Sequence, residues 1–283
     1  SNSSWQHFWD GESLLFLEYN QKFGKKLSLR FGPGLSYVQY RLHGDERKDK
    51  FSPRLHFNLI YRSSKNQQIR LGCPIGNGYL RIDQLNEVEQ QIDSLQIRRG
   101  NPHQKIAFQT TPMITYSGQF GRFNIGANLL YNVINNATVE YFYMENDRLI
   151  RTFRSEGKHR SFTSQLSGAW KVTDNLRIKL AGNWVYVKYK STPEELKYFS
   201  GSAQIDYYWS DFSCGVFAKS RTKWLNLNLM RGAEPFQYGG YVSWTHHNWH
   251  IEGGFRNLFV RHSKKESVMD RGVYRYENVA ISK

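Results

Sequence analysis

Residues 122–133, RFNIGANLLYNV, alternate between apolar and polar side chains with a period of two. The apolar members are Phe123, Ile125, Ala127, Leu129, Tyr131 and Val133, and the polar or small ones are Asn124, Gly126, Asn128 and Asn132. Because successive side chains of a strand point to opposite faces, the stretch predicts a β-strand with one apolar and one polar face. Residues 159–171 and 197–208 repeat the pattern. The alternation alone fits both a sandwich in water and a barrel in lipid.

The connections between the predicted strands separate these two architectures. Short polar turns occur near Gly24, Lys65, Gly121, Asp174, Ser210 and His247. They alternate with long polar connections at 43–50, 73–104, 134–158, 191–196, 221–237 and 260–274. Up-and-down antiparallel barrels of the bacterial outer membrane have short periplasmic turns and long outer loops. The arrangement therefore predicts a transmembrane β-barrel, with 73–104 and 134–158 as long extracellular loops and a hairpin over 139–154.

Composition restricts the classes of protein further. The 283 residues have a mean hydropathy of −0.66, and no run approaches the ~18 apolar residues of a spanning helix. This excludes a helical membrane protein. A barrel tolerates such polarity because only alternate residues of each strand face lipid.

The net charge of +15 has three interpretations. It could attract a polyanion such as nucleic acid, contact anionic lipopolysaccharide, or line a lumen that handles an anionic solute. Because the Lys and Arg residues are spread along the chain, we expect no nucleic-acid partner.

The predicted strands number about thirteen, and the directions of the first and last strands indicate that further strands complete the barrel. The first strand ends at a short turn and the last follows a long loop, so both run inward. We therefore expect residues 1–283 to be a single portion of a larger barrel, its C-terminal part, with 1–11 as the tail of a loop. Upstream strands or a partner chain must close the sheet, because an unpaired edge is unstable in lipid.

A short motif carries a resemblance to a known family. Gly100, Asn101 and Pro102, followed by Lys105, resemble the Gly-Asn-Pro stretch that opens a mid-barrel strand in TonB-dependent outer-membrane receptors, especially those common in Bacteroidetes. Gln104 and Ile106 stand where Leu and Pro are usual. Residues 51–55 (FSPRL) and 255–259 (FRNLF) resemble other strand segments of the family.

The resemblance implies a barrel of twenty-two strands with an N-terminal plug, which takes up a large solute using energy from TonB. The implied partners are outer-membrane lipid and lipopolysaccharide, the TonB complex through a plug region not seen in this sequence, and an unidentified solute. A surface lipoprotein is a further candidate partner.

Seven basic residues of the predicted loops are candidate contacts to lipopolysaccharide or solute: Arg47, Lys48, Arg148, Arg151, Arg154, Lys158 and Arg160. Guanidinium and ammonium groups form strong hydrogen bonds with phosphate oxygens. The most site-like cluster for a metal is residues 245–252, where His246, Asn248, His250 and Glu252 would share one face of an extended strand, but it falls where a short turn is needed. We expect no catalytic residue, no cofactor and no metal site.

Two other functions compete with a transport barrel. One is a soluble, basic, all-β module that binds a glycan or polyanion, which requires polar outer faces. The other is an outer-membrane β-barrel hydrolase, which requires a Ser/His or paired-carboxylate constellation that the sequence does not display.

Overall fold

A computed structural model describes residues 8–42, 47–78, 80–190, 193–259 and 263–282. These residues are almost entirely β-structure, with one helix of a single turn. Within these ranges, no helix is long and apolar enough to cross a membrane.

The elements follow one another in antiparallel hairpins. The strands are β1 Phe8–Phe16, β2 Tyr19–Phe23, β3 Leu27–Leu42, β4 Lys48–Ser64, β5 Gln67–Gly72, β6 Ile75–Asn77, β7 Gln90–Gln91, β8 Gln96–Arg98, β9 Phe108–Thr110, β10 Met113–Phe120, β11 Phe123–Asn135, β12 Thr138–Glu145, β13 Arg148–Ser155, β14 Lys158–Lys171, β15 Leu176–Tyr189, β16 Glu195–Trp209, β17 Phe212–Lys219, β18 Thr222–Leu225, β19 Arg231–Glu234, β20 Gln237–His246, β21 Trp249–Arg256, β22 Ser263–Asp270 and β23 Arg275–Ser282. The helix α1 is Ile82–Leu85.

Most strands belong to one sheet with the order β1-β3-β4-β5-β10-β11-β14-β15-β16-β17-β20-β21. Several neighbours in the chain continue one ladder across a brief interruption. Thr222 lies opposite Glu234 and Lys219 lies opposite Gln237, so β17–β18 and β19–β20 keep one register. Grouped in this way, the described wall consists of β1–β2, β3, β4, β5–β6, β9–β10, β11, β14, β15, β16, β17–β18, β19–β20, β21–β22 and β23. The predicted thirteen strands are confirmed.

The short turns all lie at one end of this wall, which we call the turn end; the opposite end is the loop end. Gly24, Gly121, Ser210 and His247 have positive φ angles of 64°, 58°, 49° and 51°. Such left-handed residues reverse the chain within two or three positions. The predicted short turns are therefore present.

The register gives the wall two chemically different faces. One cross-strand row of directly paired residues reads Leu29, Leu59, Leu71, Ile114, Leu129, Ser164, Trp184 and Phe199. The neighbouring row, on the opposite face, reads Ser28, Ile60, Arg70, Thr115, Asn128, Gln165, Asn183 and Ser200. We call these the apolar face and the polar face.

No second sheet covers the apolar face among the described residues. Leu166 keeps 60% of its surface exposed and Phe199 keeps 71%, and Phe123, Leu129 and Ile205 are also exposed. A water-soluble sandwich buries such residues between its sheets. Along this wall, apolar side chains point outward in continuous rows, which suits contact with hydrocarbon.

The buried core lies instead at the loop end. It comprises Leu85, Ile97, Ile106, Ala137, Val139, Phe142, Ile150 and Phe153, with a second group formed by Val187, Tyr189, Leu225 and Leu229. All of the first group belongs to residues 80–107 and 136–157, which together we call the cap. Its strands form a separate sheet in the order β12-β13-β8-β7.

Several sequence predictions need correction at the loop end. The loop tail predicted over 1–11 is wrong for residues 8–11, which belong to β1; residues 1–7 lie outside the described residues. The connections 221–237 and 260–274 are mostly strand, because β18, β19, β22 and β23 prolong the wall. The connections 73–104 and 134–158 contain ordered strands, and the weak helical spacing in 84–95 yields only α1. Strand pairing within the cap outweighs this weak helical preference.

A charge introduced on the apolar face is expected to destabilise the protein more than the same charge on the polar face. Leu166→Lys places an ammonium group on the apolar face, which costs about 2–4 kcal/mol near a bilayer midplane. The neighbouring substitution Gln165→Lys places the same charge on the polar face and is expected to cost less than 1 kcal/mol. Urea unfolding of the full-length protein in lipid vesicles measures both, and equal destabilisation by the two variants would show that the faces do not differ in environment.

Candidate functional site: the cap and the polar face

The Gly-Asn-Pro motif lies in a turn of the cap, and the strand that follows it along the chain begins at Phe108. The Gly100 N–H donates to the carbonyl of Asn86 at 2.6 Å, and the Asn101 N–H donates to that of Gln84 at 2.7 Å. A Cβ atom at position 100 would lie 2.5 Å from the Asn86 nitrogen, so only glycine fits there. The motif holds the α1 turn against the rest of the cap.

Asn101 also joins the two halves of the cap. Its side-chain amide donates to the Phe153 carbonyl at 2.9 Å, and its side-chain oxygen accepts from the His103 N–H at 2.9 Å. Near it, β8 pairs in parallel with β13. The hairpin β12–β13 is therefore not a free extension of its loop but part of a packed unit.

The cap is tied to the wall on two sides. On one side, the Lys48 ammonium donates to the Pro102 carbonyl at 2.6 Å. On the other, the Arg271 guanidinium donates to the Glu140 carbonyl at 2.6 Å, and Tyr274 stacks on Phe142 with ring centres 4.3 Å apart. These contacts place the cap across the loop end of the polar face. Burial lowers the pKa of the Arg271 guanidinium, and the nearby Glu156 carboxylate opposes this shift.

A cleft of about 660 Å³ opens in the cap beside the motif. Tyr141 and Tyr143 stack with ring centres 5.8 Å apart, and the Arg154 guanidinium lies 4.2 Å from the centre of the Tyr141 ring. Arg99 donates to the Tyr143 hydroxyl and pairs with Glu145 at 3.1 Å. The hydrogen bond with Tyr143 raises the pKa of Arg99, with a further contribution from Glu145. The cleft thus offers hydrogen-bond donors, acceptors and ring faces to a polar ligand.

The predicted basic residues all lie near the loop end, in different roles. Arg154 borders the cleft, and Arg151 is paired with Glu140 in the cap. Lys48 anchors the cap, while Arg47 donates to the Tyr37 hydroxyl at 3.3 Å. Arg148 and Arg160 are exposed, and Lys158 is half-buried. Arg151 and Arg154 lie on opposite faces of β13, because three positions separate them, so the structure does not assemble these residues into one site. Contact with lipopolysaccharide stays a prediction.

Residues Arg99, Tyr141 and Tyr143 were not among the predicted site residues. The alternating Val139-Glu140-Tyr141-Phe142-Tyr143 segment indicated a hairpin. It did not indicate the strand beside that hairpin, because β8 pairs with β13 from a distant part of the chain, with Ile97 opposite Ile150. The motif residue Lys105 contributes its backbone, whose N–H donates to the Ser155 hydroxyl at 2.7 Å, while its side chain is exposed.

The metal-like cluster does not assemble. His246 lies 2.6 Å from the Asp211 carboxylate, and His250 lies 2.8 Å from the Thr245 hydroxyl, on opposite sides of the turn at His247. Across the part of the chain that the structure describes, no group of three or more His, Cys, Asp or Glu side chains is placed to hold a metal ion.

A polar network stabilises the other end of the polar face. The Asp206 carboxylate is fully buried; it pairs with Lys179 at 2.8 Å and accepts hydrogen bonds from Gln204 at 2.7 Å and Tyr241 at 2.9 Å. A side chain at Gly215 would come within 2.7 Å of this carboxylate. The network therefore links side chains of three strands, β15, β16 and β20, on their polar face.

Three solved structures have folds similar to that of this wall. The copper transporter OprC matches with a TM-score of 0.71 and 10% identity, over 92% of this chain and 43% of that one. The FrpB iron transporter from Neisseria meningitidis (F3-3 variant) matches with a TM-score of 0.66 and 11% identity, over 96% of this chain and 44% of that one. The ferric enterobactin receptor PfeA matches with a TM-score of 0.63 and 14% identity, over 96% of this chain and 44% of that one. The wall shares its fold with the barrels of these transporters and this receptor.

The chain thus spans less than half of each of these receptor chains. In such a barrel the polar face is the lumen face and the apolar face is the outside. No family model matches the sequence, and no curated protein matches it.

The motif predicts a measurable effect on the cap. Asn101→Ala removes two hydrogen bonds and leaves the Phe153 carbonyl unpaired, at a cost of about 1–3 kcal/mol. Hydrogen exchange of the full-length protein is expected to accelerate across β13 and residues 84–86. Lys105→Ala, in the same motif but with an exposed side chain, serves as the control. Unchanged protection in the Asn101 variant would show that the motif does not hold the cap.

Proposed function

We propose that this chain is the C-terminal barrel portion of a TonB-dependent receptor that takes up a solute across the bacterial outer membrane. The observation that carries the proposal is the exposed apolar face, as at Leu166 and Phe199, on a wall whose other face is polar. The fold similarity to receptors and transporters supports it. Bacterial origin within the Bacteroidetes remains part of the proposal and rests on the Gly100-Asn101-Pro102 motif alone.

In this proposal the chain provides binding and passage and performs no covalent chemistry. The turn end faces the periplasm and the loop end faces outward. A solute arriving from outside meets the cap and its Arg99–Tyr143 cleft first, and the lumen face afterwards. Upstream strands complete the wall, and a plug region carries the contact with TonB; both lie outside this sequence.

The outer surface would contact lipid through the apolar face. Basic residues at the loop end, such as Arg148 and Arg160, are the proposed contacts to lipopolysaccharide phosphates. A surface lipoprotein is a proposed partner at the same end. The identity of the solute does not follow from the fold.

The soluble polyanion-binding module has weaker support. It requires a polar exterior, whereas continuous rows of aliphatic and aromatic side chains are open to the surroundings along this wall. Water around residues such as Leu180, 58% exposed, would make the protein aggregate.

The proposal predicts how the full-length protein behaves on extraction. It is expected to fractionate with the outer membrane, to need detergent, and to migrate differently on SDS gels before and after heating. The difference arises because closed hydrogen-bonded barrels resist SDS until heated. The heated sample is the internal control. A monodisperse monomer in buffer without detergent would contradict the proposal.

A further inference from the structure

An aromatic row borders the apolar face of the wall on the side of the loop end. Tyr131, Phe162 and Tyr186 lie directly opposite one another on β11, β14 and β15. Toward the turn end of the same face, Phe123 stacks on Trp170 with ring centres 5.3 Å apart. In transmembrane barrels, aromatic side chains flank the apolar band at both interfaces. The row at the loop end therefore lies where the outer surface of the bilayer is expected.

Cations follow immediately beyond this aromatic row, on the same face. Arg160 lies directly opposite Lys188, one side-chain row closer to the loop end. Lys197 lies directly opposite Tyr186, with its ammonium 5.3 Å from the ring centre. Two strand spacings, about 10 Å, separate β14 from β16, so these three side chains can meet one ligand. Together with two lysines of the next row they form the outer cation cluster: Lys158, Arg160, Lys188, Lys190 and Lys197.

The like charges in this cluster are crowded. Arg160 faces Lys188 directly, and beside them the Lys190 N–H donates to the Lys158 carbonyl at 2.9 Å. Directly opposed like charges destabilise a pair of strands. The Glu195 carboxylate lies 3.3 Å from the Lys197 ammonium, and this is the one ion pair of the cluster among the described residues. The cluster therefore keeps a net positive charge, which an anion from outside the chain would compensate.

A groove of about 460 Å³ lies on the same strands, nearer the middle of the apolar face. Its lining includes Leu166, Leu180, Trp184 and Phe199, and it is open at Gly168, which has no side chain. The lining is predominantly apolar. In hydrocarbon, an unfilled groove forfeits dispersion contacts, which a flexible acyl chain can supply. The outer cation cluster and the groove thus form one continuous surface of β14, β15 and β16.

We propose that this surface binds a phosphorylated, acylated glycolipid of the outer leaflet, the lipid A part of lipopolysaccharide. Its phosphates would contact the outer cation cluster, and one acyl chain would fill the groove. Two phosphates on one headgroup suit cations spread over three strands, because each phosphate can accept several charge-assisted hydrogen bonds. The inference rests on the proposed function, since it takes the apolar face to contact lipid and the loop end to face outward. It locates a specific lipid site on the outside of the wall.

The test uses the full-length protein in dodecyl-maltoside micelles, with diphosphoryl lipid A as the probe and native mass spectrometry to measure bound lipid. The protein is expected to bind lipid A about tenfold more tightly than phosphatidylglycerol, which has one phosphate. The double variant Arg160→Gln/Lys188→Gln removes the opposed cations and should weaken lipid A binding about tenfold. The control Lys25→Gln/Lys26→Gln removes the same charge from an exposed turn at the turn end and should change binding less than about twofold.

The groove is tested by a separate pair of variants. Gly168→Val places a side chain where a Cβ atom meets no neighbour closer than 3.9 Å, so it narrows the groove without distorting the strand. It should weaken lipid A binding about threefold and leave binding of the deacylated diglucosamine bisphosphate unchanged. The control Ala127→Val, on the same face but outside the groove, should change neither.

The inference is overturned by any of four results. Equal losses in the two double variants would show attraction to overall charge instead of a site. Equal binding of phosphatidylglycerol would exclude selection for two phosphates. An unchanged lipid A affinity in the Gly168 variant would exclude the groove, and absence of lipid A from the unmodified protein would exclude the whole site. Heat-dependent gel migration, recorded on every sample, distinguishes a failed lipid site from a misfolded variant and from a failed barrel assignment.

Discussion

Backbone amides and carbonyls in hydrocarbon have no water to pair with, and this constraint governs the rest of the structure. The wall satisfies it with long, nearly uninterrupted antiparallel ladders, which leave side chains free to differ between the faces. One face can then be as apolar as lipid requires while the other carries charges. The edges at β1 and β23 have no second neighbour within the described residues, so the constraint is met fully only when further strands pair with them.

The division of labour between wall and cap follows from the same constraint. A single curved sheet has no packed interior of its own, because its apolar side chains contact the surrounding medium. The packed core therefore forms where two connections fold together at the loop end, around Leu85, Val139 and Ile150. Gly100 and Asn101 give this core its shape through backbone contacts. Such a unit can present the Arg99–Tyr143 cleft in a fixed geometry, which a free loop cannot do.

The period-two pattern and the alternating connections were sufficient to predict the wall, because register and face are local consequences of strand geometry. Stretches such as 122–133 and 197–208 needed no knowledge of distant residues. The cap could not be predicted in the same way. Its pairing of β8 with β13 joins residues 97 and 150, and the strand extension β19 pairs with β22, where Arg231 lies opposite Val268. The sequence indicated Gly100, Asn101 and Pro102 only as a motif that opens a strand, whereas the structure places them in a turn that joins two loops.

Spin labels placed singly at residues 178–184 of β15 test the two-faced wall most directly, in full-length protein with Cys73 and Cys214 changed to serine and reconstituted in lipid. We expect labels at 178, 180, 182 and 184 to collide preferentially with oxygen dissolved in the bilayer. Labels at 179, 181 and 183 should collide preferentially with a water-soluble nickel chelate. The same accessibility to the chelate at both sets of positions would contradict contact between hydrocarbon and the apolar face.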